Sequence, residues 1–191
     1  MNIDELVIRA KDGDITSAEL KEVAAIIKRD EGGDLTYRLL YVLLRSRSVE
    51  HEDIIAGFVQ YERDPQVASL VLHTLVSQWR LGARYRNALL GAMSGFSWDE
   101  DNDVKIGAVT AAGEYLRESH DPEVLASIIK IARTNDPMDP IGQAAVEGLS
   151  RALGDDHLAS LAPKDSNERA MWIDRILERA VFRLTTESGQ C

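Results

Sequence analysis

Cysteine is almost missing from this chain: the one copy, Cys191, is the last of 191 residues. That excludes an intrachain disulfide and a cysteine-based metal site, and it fits a reducing compartment. Long apolar runs are also missing. No stretch approaches the roughly 18–20 residues a membrane helix needs, so no membrane partner is expected. The opening residues, MNIDELVIRAKDG, place acids where a secretory signal carries positive charge, and no apolar core follows. The expected location is the cytoplasm. Positive charge is in deficit, with 32 acids against 22 bases and a net charge of −10. Duplex nucleic acid selects a basic surface because neutralised phosphates release counterions. Nucleic acid is therefore not the expected partner, whereas a basic protein would be attracted and its association accelerated at low salt. Only five prolines and thirteen glycines interrupt the chain, and no segment alternates at period two for long. Strands are not expected.

What remains is helical periodicity. Residues 3–11 form a leading helix, with Asn2 and Glu5 in capping-box spacing and Gly13 past its end. Thr16 and Glu19 repeat that spacing and open a helix to about Arg29, its apolar face holding Leu20, Val23, Ala24 and Ile27. After the turn from Asp30 to Asp34, a helix rich in Leu and Tyr runs to Arg45. A second pair starts near Glu50, with Ile54, Ile55, Phe58 and Val59 on one side, and continues from Asp64-Pro65 to Trp79. The third pair holds Leu89, Leu90 and Met93 and then the stretch from Trp98 to Leu116. The fourth runs from Pro122 to Arg133 and from Ile141 to Leu153. A weak element carries Leu158 and Leu161. Asp165 and Glu168 then set up a last helix from about Asn167 to Leu184, and residues 185–191 read as a flexible tail.

The pairs share one period. Thirty-seven residues separate Val67, Val104 and Ile141, and each is followed in phase by small or apolar residues: Val71, Thr74 and Leu75; Ala108, Ala111 and Ala112; Ala145, Gly148 and Leu149. A fixed period of this length marks stacked repeats. The best copy, Asp101, Val104, Lys105, Ala108, Ala111 and Ala112, resembles a HEAT-type repeat: an acid in the turn, Val, a basic residue, then small residues. The copy at Asp64 and Val67 has Ala68 in the basic position, and the copy at Asp139 and Ile141 has Gly142. The likeness covers roughly residues 15–154. It implies an all-α fold, a solenoid of about four to five antiparallel helix pairs in a single domain over 1–184. It also implies an extended binding surface lined by the second helices, and no particular partner, since HEAT-like chains include scaffolds, DNA glycosylases and lyase-like proteins.

In such a stack, turns within a repeat line one edge and turns between repeats the other. The first set holds Asp30, Glu31 and Asp34; Glu62 and Asp64; Asp99, Glu100, Asp101 and Asp103; Asp136 and Asp139. The second holds Arg45, Arg47, Arg80, Arg84, Arg86, Arg117, His120 and Arg151. Caps and helix dipoles account for one acid per turn. Four acids in five positions beside Trp98 exceed that need. The expected contact surface is therefore Trp98, Asp99, Glu100, Asp101 and Asp103, with Asp64, Asp136 and Asp139. The stripe expected on the concave side is Ser69, His73, Ser77 and Arg80; Ile106, Thr110, Glu114 and Arg117; Gln143, Glu147 and Arg151. It is balanced in charge, unlike a nucleic-acid groove.

Catalytic and metal motifs fail on spacing. The acids at 99, 101 and 103 alternate as in a calcium loop, but its sixth and twelfth positions are Val104 and Thr110 where Gly and Glu are required. Ser127 and Lys130 lack companion motifs, and residues 91–95 are not a nucleophile elbow. His51, His73, His120 and His157 lie in separate repeats. The sequence therefore points to a non-enzymatic binding protein without cofactor. Its sharpest form is an immunity protein that neutralises a basic toxin, such as a nuclease, through the acidic ridge. The alternatives are a HEAT-like enzyme or nucleic-acid reader, glycosylase-like or lyase-like, and a general scaffold or assembly chaperone. Oligomeric state is left open.

Overall fold

A computed structural model describes residues 2–29, 33–155 and 166–188. Within them the fold is all-helical and contains no strand. The helices are α1 (Ile3–Asp12), α2 (Ser17–Lys28), α3 (Thr36–Arg45), α4 (Glu52–Ala56), α5 (Pro65–His73), α6 (Arg86–Ser94), α7 (Asp103–Glu118), α8 (Pro122–Thr134), α9 (Pro140–Ala152) and α10 (Ser166–Ser188). Short 3-10 turns precede α3 and α4, and α5 continues as a π-helical segment, Thr74–Gln78.

Local chemistry sets most boundaries. Asn2 accepts the Glu5 N–H, and Gly13 closes α1 in the left-handed conformation (φ 75°). Thr16 and Glu19 form a reciprocal capping box, and the same Glu19 carboxylate takes two hydrogen bonds from Arg9 at 2.6 and 3.0 Å. Asp64 and Asp121 cap α5 and α8, each ahead of a proline in the first turn.

Three expectations are corrected. The helix through Phe58 and Val59 stops at Ala56; Gly57–Gln60 turn instead, and Phe58 packs on Tyr61 with ring centroids 5.0 Å apart. The helix to Trp79 widens into π geometry at Thr74, and Arg80 ends it at φ 59°. The last helix passes Leu184 and reaches Ser188, so the tail does not begin at 185. Leu158, Leu161 and Asp165, like Asp30 and Glu31, lie outside the described residues.

The helices form two layers. The odd-numbered helices pack in order, α1 on α3, α3 on α5, α5 on α7 and α7 on α9. The even-numbered ones cover one side of that row, with α10 closing it against α8 and α9. The core lies between the layers, and the repeating positions supply it: Val67, Val104, Val71, Ala108, Ala145, Leu75, Ala112 and Leu149 are all fully buried. The closest approach is α7 on α9. A Cβ on Gly113 would stand 2.6 Å from the Gly148 Cα, so glycine at both positions lets two backbones meet.

Hydrogen bonds fix the direction of the row. The Trp79 indole N–H donates to the Leu44 carbonyl at 3.1 Å, joining the C-terminal ends of α3 and the α5 extension. Arg80 pairs with Glu118 at 3.3 Å, joining that end to the end of α7. Arg183 of α10 donates to the carbonyls of Leu116 and Ser119 at 2.9 and 3.0 Å, and also to that of Ala152, joining α7 to α9. Helices α3, α5, α7 and α9 are thus parallel, with their C-terminal ends on one edge and their N-terminal ends on the other.

Candidate interaction surface

The N-terminal edge gathers the acids of the intra-repeat turns, but their side chains do different things. Asp99 is 5% exposed, and its carboxylate accepts the N–H groups of Val104 and Lys105 at 3.1 Å each. The usual N-cap position of α7 belongs to Asn102, which is left-handed (φ 60°) and makes no side-chain cap bond. Asp99 therefore satisfies the orphan donors of α7 from beneath the turn. It is not offered to a partner, contrary to its place in the expected contact set. Trp98 is half-buried rather than open, with its indole stacked on Phe96 at 4.8 Å and an interplanar angle of 7°.

The remaining acids divide by their bonds. Asp64 accepts from Gln66 and Val67 N–H at 2.9 and 3.3 Å and is half-buried. Asp136 accepts the Met138 N–H at 2.8 Å and stays exposed. Glu100, Asp101 and Asp139 are exposed and Asp103 is half-buried. Among the described residues no cation pairs with Glu100, Asp101, Asp103, Asp136 or Asp139. Helix dipoles offset them only in part. Each N-terminus carries about +0.5 charge, so α5, α7 and α9 supply about +1.5. Against that stand the eight carboxylates of Glu62, Asp64, Asp99, Glu100, Asp101, Asp103, Asp136 and Asp139, with Arg63 the one base inside those turns. The edge is net negative.

The opposite edge is different. Three of its arginines are bound to carboxylates of neighbouring elements: Arg80 to Glu118, Arg84 to Glu52 at 2.6 Å, and Arg86 to Asp121 and Glu123, both at 2.6 Å. Tyr85 adds a hydrogen bond to Glu52 at 2.6 Å, and burial together with that carboxylate pushes its phenol well above its usual range. Asp121 is 6% exposed. Burial opposes its charge, but hydrogen bonds from Arg86, the Val124 N–H and Tyr115 overcome it and hold the carboxyl below its ordinary value. These three arginines thus serve to join α4, α6, α7 and α8, while Arg45 and Arg47 stay exposed with no ion pair among the described residues. Sequence showed the first three but not the acids that neutralise them, because Glu52, Glu118, Asp121 and Glu123 lie 32 to 38 positions away.

The uncovered face of the odd row carries the expected polar stripe. Ser69, His73, Ser77, Ile106, Thr110, Glu114, Gln143, Glu147 and Arg151 are all half-buried, and Arg80 and Arg117 are exposed. Arg151 lies 3.5 Å from Glu147, its neighbour on α9, and also 3.5 Å from Glu114 on α7. His73 stands near both. Burial lowers its pKa, Glu114 opposes that shift and Arg151 adds to it. At the N-terminal end of this face Tyr37, Gln66, Ser69, Leu70, His73, Asp103 and Gly107 line an open cavity of about 340 Å³. Sequence reasoning missed its Tyr37, Gln66, Leu70 and Gly107. Gly107, an isolated glycine inside a helical pattern, was the available signal.

Among the described residues no group of three or more His, Cys, Asp or Glu is placed to hold a metal ion, and no helix is long and apolar enough to cross a membrane. Compared with protein-family models, with curated proteins and with solved structures, the chain gives no match.

Proposed function

We propose that the chain is a non-enzymatic protein-binding module, a short HEAT-like solenoid of about four to five helix pairs, whose N-terminal edge docks one basic protein. The observation that carries this reading is the contrast between the edges. Five carboxylates without cation partners gather on one. On the other, Arg80, Arg84 and Arg86 are already paired with carboxylates, and only Arg45 and Arg47 stand exposed without an ion pair among the described residues. An unpaired field of one sign steers a complementary partner and raises its association rate. In its narrowest form the module is a cytoplasmic immunity protein. A toxin that handles nucleic acid needs a cationic cleft to hold phosphates, and the ridge presents carboxylates in their place.

Affinity isolation from the source cells is expected to recover a stable basic partner. The variant Glu100→Gln/Asp101→Asn/Asp136→Asn/Asp139→Asn, which spares the capping Asp64 and Asp99, is expected to lose it while keeping its fold. Unchanged binding by that variant would remove the acidic edge from the account. Tight retention of DNA or RNA on a filter at low salt would favour a nucleic-acid reader instead.

A further inference from the structure

The proposed docking edge says which sign of charge the partner brings, but not where a side chain of that partner would seat. The cavity at the N-terminal end of the α5–α7 seam supplies a place. Its walls come from three successive odd helices: Tyr37 from α3, Gln66, Ser69, Leu70 and His73 from α5, and Asp103 and Gly107 from α7. Gly107 lets α7 close on α5 at the floor of the cavity, where a Cβ would stand 2.2 Å from the Ser69 hydroxyl.

The lining has a specific chemistry. Tyr37 is 39% exposed and presents an aromatic surface. Leu70 gives an apolar wall for an aliphatic stem, and Gln66 and Ser69 hold oxygen acceptors beside the Asp103 carboxylate, which no described cation neutralises. We infer that this cavity is a receptor for one arginine side chain of the partner. The guanidinium would lie on the Tyr37 ring and donate to Asp103 and its neighbouring acceptors. Arginine fits better than lysine because its planar group stacks on an aromatic face while several N–H groups diverge toward separate oxygens. His73 does not repel it at neutral pH, since burial favours the uncharged imidazole. The inference rests on the docking reading and deepens it by naming the residue that anchors the partner.

The test uses the full chain, labelled with ¹⁵N, titrated by NMR with N-acetyl-arginine amide, N-acetyl-lysine amide and N-acetyl-norleucine amide. A ligand of this size binds in the millimolar range. The expected result is a saturable shift of the Ser69, Leu70 and Gly107 amides with the arginine probe. Lysine should bind more weakly, and norleucine should leave the spectrum unchanged. Asp103→Asn and Tyr37→Ala should each weaken the arginine probe by about tenfold, whereas Asp101→Asn, on the same edge but outside the cavity, should not. Spectra of the variants that match the parent away from the cavity establish that they fold. Non-saturating shifts spread over Glu100, Asp101 and Asp139, or binding indifferent to Asp103→Asn, would overturn the receptor and leave the acidic edge standing. A saturable arginine site together with partner binding unaffected by the four-acid variant would do the reverse.

Discussion

Asp99 and Asp101 are two residues apart in one acidic run, yet one is buried in service of a helix and the other faces water. Removing the first leaves the Val104 N–H buried without an acceptor, so Asp99→Ala is expected to cost about 1–3 kcal/mol in urea unfolding. Asp101→Ala should stay within about 0.5 kcal/mol of the parent. Equal effects would show that Asp99 is not the cap of α7. His73 gives a pH signature of its own. Its folded pKa lies below the ordinary 6.5, so the unfolded chain binds its proton more readily. That contribution to stability is complete above pH 6.5 and is lost as pH falls toward the folded value. In His73→Gln the stability difference between pH 7.5 and 5.5 should shrink; an unchanged difference would assign the slope to other groups. The Glu19 carboxyl, held at about 2 mainly by Arg9 and by the Thr16 backbone, loses its contribution much lower, between its ordinary value of 4.5 and about 2.

Elements are held together by close backbones and by shared ion pairs. Gly113→Ala places a Cβ 2.6 Å from Gly148, so it should destabilise by about 1–3 kcal/mol despite the helix propensity it gains. Gly91→Ala, with nothing within 4 Å of its Cβ in α6, should instead stabilise by up to about 1 kcal/mol. Thermal melts of the two variants decide this, and opposite shifts are expected. Asp121→Ala removes both the α8 cap and the partner of Arg86. A loss of about 2–3 kcal/mol is expected, below that of a fully buried pair because Arg86 is 32% exposed. Most helix boundaries were legible in sequence because they depend on residues within four positions, such as Thr16 with Glu19 or Asp64 with Pro65. The π segment and the stop at Ala56 were not. Burial of Trp79 against α3, through its bond to Leu44, is made by a residue 35 positions away, and apolar periodicity carries no trace of it.

At the scale of the whole molecule the 37-residue period put the acidic turns in register, and the parallel row of α3, α5, α7 and α9 brings their N-terminal ends to one edge. The charge alignment was therefore readable from spacing. The pairing of Arg80, Arg84 and Arg86 was not, since their partners lie 32 to 38 positions away, and neither was the sequestering of Asp99, which depends on the left-handed turn at Asn102. The unpaired carboxylates of the N-terminal edge have a kinetic consequence. The rate of association with a basic partner should fall steeply between low and physiological salt, while the dissociation rate changes little. The most direct measurement is stopped-flow association of the isolated partner at 20 and 150 mM salt with three proteins: the parent, the Glu100→Gln/Asp101→Asn/Asp136→Asn/Asp139→Asn variant, and Arg45→Gln on the far edge. The expected result is an on-rate at least about tenfold slower for the four-acid variant, with its salt dependence largely gone and Arg45→Gln unaffected. Equal on-rates and equal salt dependence for all three would contradict docking at the N-terminal edge.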